Sequence, residues 1–152
     1  MKRFVLLSAA LVIAGSGSAV IAQQSAPLLR GVWSVVEISG GPEGVDSRPQ
    51  PGLFIFTDRH YSFMRVTGAK PRPKFQSNAT ATDSEKVATY DAFFAQAGTY
   101  QVSGSTVTTR PVVAKADFPM TGPPSTAQVR IDAHTLWWTF ASGQVVKMTR
   151  VE

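Results

Sequence analysis

A chain of 152 residues, 43% of them hydrophobic, is long enough for one domain around one core. It carries a formal charge of +5 and no cysteine, which excludes disulfide stapling, and with His60 and His134 as the only histidines it excludes a thiolate or multi-histidine zinc site. Nine Phe, three Trp and three Tyr supply the large apolar surfaces that the fold must bury instead, and no metal or cofactor is expected.

The N-terminus reads as a targeting segment. Lys2 and Arg3 form a cationic head, an apolar run extends from Phe4 to Gly15, and small residues lead to Val20-Ile21-Ala22, which suits signal-peptidase cleavage after Ala22. The apolar run falls well short of the roughly 20 residues a spanning helix needs. The expectation is a signal peptide over 1–22, a single domain over 23–152, and a periplasmic or secreted destination. No lipid anchor and no integral membrane segment are expected after cleavage. Loss of Lys2 and Arg3 lowers the formal charge from +5 to +3, which does not call for a nucleic-acid partner.

Short alternating runs separated by turn residues follow, the pattern of an all-β domain. They predict eight strands: 31–39, 53–57, 61–67, 98–102, 106–115, 127–131, 136–140 and 145–151. Ser103-Gly104 and Ser142-Gly143 have hairpin chemistry, and Asp58-Arg59-His60 and Asp132-Ala133-His134 are weaker turns of the same kind, so neighbouring strands are antiparallel. One segment differs. Thr82-Asp83-Ser84-Glu85 is a capping box, and Val87, Tyr90 or Asp91, Phe94 and Ala97 recur at helical spacing before Gly98. A helix of three to four turns is expected there, between strands 3 and 4, its apolar face closing one end of the barrel or packing on its side. The preceding loop carries Lys70, Arg72 and Lys74 among prolines. With Arg59 and Arg65 they make a basic stretch free of acids, either a solvated loop or a rim attracting anions.

Several of these residues resemble a known family. Gly31-Val32-Trp33 is similar to the Gly-x-Trp opening of lipocalin-type barrels. Phe54-Ile55-Phe56-Thr57-Asp58 with Tyr61-Ser62-Phe63, the run Tyr90 to Tyr100, and Phe118-Pro119 followed by Gln128-Val129-Arg130 resemble the bacterial lipocalin-like domain family. The resemblance implies an eight-stranded antiparallel up-and-down lipocalin-like barrel with one end open. It also implies that Trp33 stacks under an arginine of the last strand, for which Arg150 is the candidate, closing the barrel floor. The chain departs from the family pattern at Thr108-Thr109-Arg110, where a histidine is frequent, and at Asp58-Arg59, where glycine is usual.

Such a barrel encloses space for packed side chains or for one small ligand. Phe54, Phe56, Tyr61, Phe63, Trp138 and Met148 are the candidates to line or fill it. Strand alternation puts Glu37 on the face of Trp33, and Arg110 and Arg130 are candidate partners for it, as a core ion pair, a headgroup anchor or an acid/base pair. Trp137, on the opposite face from Trp138, is either covered by the helix or an exposed contact. Nucleophile-elbow, zinc-protease and phosphate-loop motifs do not occur, and no catalytic residue is assigned. The leading expectation is a binding protein for a small hydrophobic or amphipathic molecule. Its rivals are an enzyme, an isomerase, cyclase or hydrolase, using polar groups inside the barrel, and an envelope interaction module using the basic loop.

Overall fold

The computed structural model describes residues 28–41, 44–68, 70–72 and 74–152; the expected signal peptide lies outside the described residues. The elements run β1 (Gly31–Gly41), β2 (Gly44–Asp46), β3 (Gly52–Phe56), β4 (His60–Val66), α1 (Asp83–Asp91), β5 (Phe93–Ser103), β6 (Thr106–Ala114), α2 (Phe118–Thr121), β7 (Ser125–Ile131), β8 (Thr135–Phe140) and β9 (Val145–Arg150). The sheet order is β2-β1-β3-β4-β5-β6-β7-β8-β9, and β1 also pairs with β9. Eight antiparallel strands therefore close into a barrel, with β2 a short outlier paired to the end of β1.

Period-two patterning sets the inside and outside. In β3, Gly52, Phe54 and Phe56 are buried while Leu53 is exposed; in β4, Tyr61 and Phe63 are buried while Met64 is exposed. The hairpins turn at Gly104 (φ 61°) and Gly143 (φ 85°), a backbone region costly for any side chain with a Cβ. At the β7–β8 turn the Asp132 carboxylate accepts the N–H groups of His134 (2.9 Å) and Thr135 (2.7 Å). Those two backbone bonds hold its pKa below the usual carboxylate value.

One end of the barrel is shut. Trp33, Leu29, Val107 and Leu136 are completely buried there. The Arg150 guanidinium lies 4.1 Å from the centre of the Trp33 ring. It also donates to the carbonyls of Arg30 (2.6 Å), Leu28 (2.5 Å) and Ala133 (3.0 Å). The Trp33 Nε1 donates to the Leu29 carbonyl at 2.8 Å, so every polar group brought into this floor by Trp33 has a partner.

The helical segment departs from expectation twice. It lies between β4 and β5, not between strands 3 and 4, because the unanticipated β2 takes a place in the count. It is also shorter, with no buried residue. The capping box forms, Glu85 Oε2 accepting the Thr82 N–H at 2.8 Å and Thr82 Oγ1 accepting the Glu85 N–H at 3.3 Å. Helical spacing then loses to the sheet. From Phe93 onward the chain pairs residue by residue with β4, which gives its backbone ladder partners that a helix end would lack. The short α2 was not anticipated either.

Candidate functional site

The interior is filled at mid-barrel. Phe54 stacks on Phe63 with centroids 4.1 Å apart, Tyr61 lies 4.4 Å from Phe63, and Phe56 lies 5.7 Å from Trp138. Met148 is fully buried beside them. Phe54, Phe56, Tyr61 and Met148 thus pack against one another, and the space for a ligand lies further along the axis.

At the end opposite Trp33, the five strands β4 to β8 open a cleft of about 380 Å³. Phe63, Trp138 and Thr109 form its floor, Phe94 and Phe140 its walls, and Phe118 and Pro119 of α2 its rim. The volume sits near the lower end of the roughly 300–1,000 Å³ typical of small-molecule sites. The floor is apolar with isolated polar atoms. Trp138 Nε1 in that floor, and Tyr61 Oη in the plug beneath it, are both buried without a hydrogen-bond partner among the described residues. Burial raises the pKa of the Tyr61 phenol. The Thr109 hydroxyl, near enough to counter that rise in part, donates instead to the Ser125 carbonyl at 3.3 Å, and the phenol completes no bond of its own.

A second cavity of about 220 Å³ lies at the same end between β1, β4 and the β8–β9 turn, lined by Ile38, Arg65, Gln50 and Gln144, with Asp46 also on its wall. Arg65 faces the barrel axis. It stands two residues beyond the buried Phe63 and pairs with Gly52 on one side and Phe94 on the other. A Cβ on Gly52 would come within 2.8 Å of Arg65 Cβ and 2.9 Å of Val35 Cγ2, so glycine clears the room for the arginine stem. Arg65 Nη1 is buried and has no partner among the described residues, and burial lowers the guanidinium pKa.

Three expected polar groups are elsewhere. A β-bulge in β1 pairs Val35 with Met148 but Glu37 with Lys147, leaving Val36 over. The pleat reverses, Ile38 turns in toward Val146, and Glu37 faces outward with Lys147. Arg110 is exposed, because the inward place in β6 belongs to the buried Thr109. Arg130 is exposed on β7 and lies 3.6 Å over the ring of its cross-strand neighbour Trp137. Trp137 is therefore covered by an arginine and not by the helix. Glu37, Arg110 and Arg130 form no inward pair, so the acid/base set built from them is not assembled. In the basic loop Lys70 and Lys74 are exposed, whereas Arg72 lies 4.9 Å over the Phe93 ring and donates to the Thr89 carbonyl at 3.4 Å.

No protein-family model matches the chain, and no curated protein does. Among solved structures, a lipocalin-like protein from Bacteroides uniformis ATCC 8492 is similar with a TM-score of 0.50 at 12% identity, over 80% of this chain and 97% of that one. The fold is lipocalin-like. An uncharacterized protein from Bacteroides eggerthii DSM 20697 aligns with a TM-score of 0.49 at 7% identity, over 80% of this chain and 98% of that one.

Within this lipocalin-like barrel, sequence reasoning missed Arg65, Phe94 and Phe140 as mouth residues. Arg65 was legible in principle, since it continues the inward series Tyr61, Phe63. It was grouped instead with the basic residues around it. Phe94 was hidden by its fit to the helical spacing. Among the described residues no group of three or more His, Cys, Asp or Glu is placed to hold a metal ion.

Proposed function

We propose that this protein is exported and binds a small hydrophobic or amphipathic molecule at the open mouth of its barrel, above the aromatic plug. The observation that carries this reading is the apolar cleft of about 380 Å³ floored by Trp138, whose buried indole N–H lacks a partner among the described residues. An unpaired buried donor is costly, roughly 1–3 kcal/mol, and a ligand acceptor or a trapped water would recover that cost. The cationic head and short apolar run at the N-terminus support export. Native mass spectrometry of protein recovered from the periplasmic or secreted fraction tests both parts. The expected result is a polypeptide beginning at Gln23 that carries a small molecule released on unfolding. An uncleaved N-terminus would refute export. A ligand-free protein that also fails to quench or shift Trp138 fluorescence with any apolar probe would refute binding.

A further inference from the structure

The mouth carries more information than its apolar floor. An inward guanidinium with a buried, unpartnered Nη1 is an unfavourable arrangement for a protein to keep, because desolvated cations need a counter-charge or a full set of acceptors. Ion pairs among the described residues are confined to Arg30 with Asp58 and Lys86 with Asp83, so Arg65 has no carboxylate within bonding distance. Asp46 lines the same cavity, but its Oδ1 accepts the Arg48 N–H at 3.0 Å and makes no ion pair with Arg65. The arginine stem is fixed by close packing, since even a methyl group at Gly52 would collide with Arg65 Cβ, while the residue itself lines the cavity of about 220 Å³. Phe94, the direct cross-strand partner of Arg65, is a wall of the apolar cleft. Directly opposed residues lie about 4.5–5.5 Å apart, so an anion held by Arg65 sits within one side chain of that cleft.

Resting on the proposed binding function, we infer that the ligand is a single-chain amphiphile with a carboxylate head, held by Arg65, and with an apolar tail lodged between Phe94, Phe63 and Trp138. A carboxylate matches the planar guanidinium fork with two parallel hydrogen bonds. One guanidinium in a cavity of about 220 Å³ offsets a single negative charge, and the Asp46 carboxylate on the same wall repels a second, which favours a monoanion over a doubly charged phosphate. The neutral Gln50 and Gln144 side chains lining the same cavity can accept or donate to the remaining lone pairs.

Calorimetric titration of the mature protein with decanoate, decanol and decyl phosphate tests this. Decanoate should bind roughly ten- to a hundredfold tighter than decanol, the range set by hydrogen bonds to a charged group. Shortening the acid should weaken binding by roughly fourfold per methylene while the tail remains in the cleft. Arg65→Met should remove the preference for acid over alcohol, weakening decanoate far more than decanol, with Arg65→Lys in between. Thermal melting of both variants confirms that each is folded, and the alcohol arm serves as an internal check on the cleft. Equal affinity for acid and alcohol, an acid preference that survives in Arg65→Met, or tighter binding of decyl phosphate than of decanoate would each overturn the headgroup assignment while leaving the proposed function standing. Failure of all three amphiphiles to bind would overturn both.

Discussion

Arg150→Met tests whether the closed end of the barrel is held as the geometry indicates. The substitution keeps an unbranched apolar stem but removes the cation over Trp33 and the bonds to the carbonyls of Leu28, Arg30 and Ala133. A cation–π contact at a partly exposed site contributes about 0.5–1 kcal/mol. Each charge-assisted bond at such a site contributes about 1 kcal/mol once partial re-solvation of the carbonyls is allowed for. The loss should come to about 3–4 kcal/mol, a large part of the roughly 5–15 kcal/mol that holds a domain together. At about 4 °C per kcal/mol for a domain of this size, the melting temperature should fall by about 12–16 °C. Circular dichroism melts of parent, Arg150→Met and Arg150→Lys provide the assay, with Lys expected to recover less than half, since it keeps the charge but not the fork. A Met variant melting within about 3 °C of the parent would refute the reasoning, and would mean that β1–β9 pairing and apolar packing close the floor unaided.

Gly98→Ala should be among the most damaging small substitutions, because the new Cβ would lie 2.0 Å from the Arg110 carbonyl oxygen, a backbone atom that cannot move aside without breaking the β5–β6 ladder. Loss of soluble expression or a melting temperature at least 10 °C lower is expected, by roughly the same conversion, and a neutral outcome would contradict the β5–β6 register. Asp132→Asn should flatten the acid limb of the stability curve. A carboxylate with a depressed folded pKa stabilises the fold above its unfolded value near 3.8, and that contribution fades as pH falls through the folded value, so the parent should lose more stability than the variant between pH 5 and 2, measured by denaturant titration. Burial raises the phenol pKa of both Tyr61 and Tyr100. Their ionisation should therefore lag beyond pH 10.0 in an absorbance titration at 295 nm, and stability should fall as pH rises past that value; phenols that all titrate together at the ordinary value would show that the interior is wet. Thr82→Ala should raise amide exchange over Asp83–Glu85 while shifting global stability by about 1 kcal/mol or less, because α1 buries none of its residues.

Much of the architecture follows from local pattern. The alternation in Phe54-Ile55-Phe56 and Tyr61-Ser62-Phe63, with glycine in the hairpins at 104 and 143, permits little except antiparallel strands, and Trp33 with Arg150 could be anticipated as a pair from resemblance alone. The mouth was less legible. Glu37 keeps strict alternation from Trp33 in the sequence, but whether a strand bulges depends on the strand across from it, here β9, 110 residues further along the β1–β9 pairing at Glu37 and Lys147. Arg65 and Arg130 look alike as letters, each set between two apolar neighbours in a strand. One points in because its pleat continues from Phe63, and the other points out because Val129 takes the inward place.

The sequence by itself determined eight of the segments that become strands, most of their turns, and that their apolar faces are aromatic enough to fill a small barrel, because these properties depend on neighbours two to four residues away. Tertiary structure decided where the filling stops and the cleft begins, how far the helix runs before the sheet takes over the chain, and which single arginine is drawn inward. Those outcomes depend on register and bulges between strands far apart in the chain, which set the facing of a side chain only after the ring has closed.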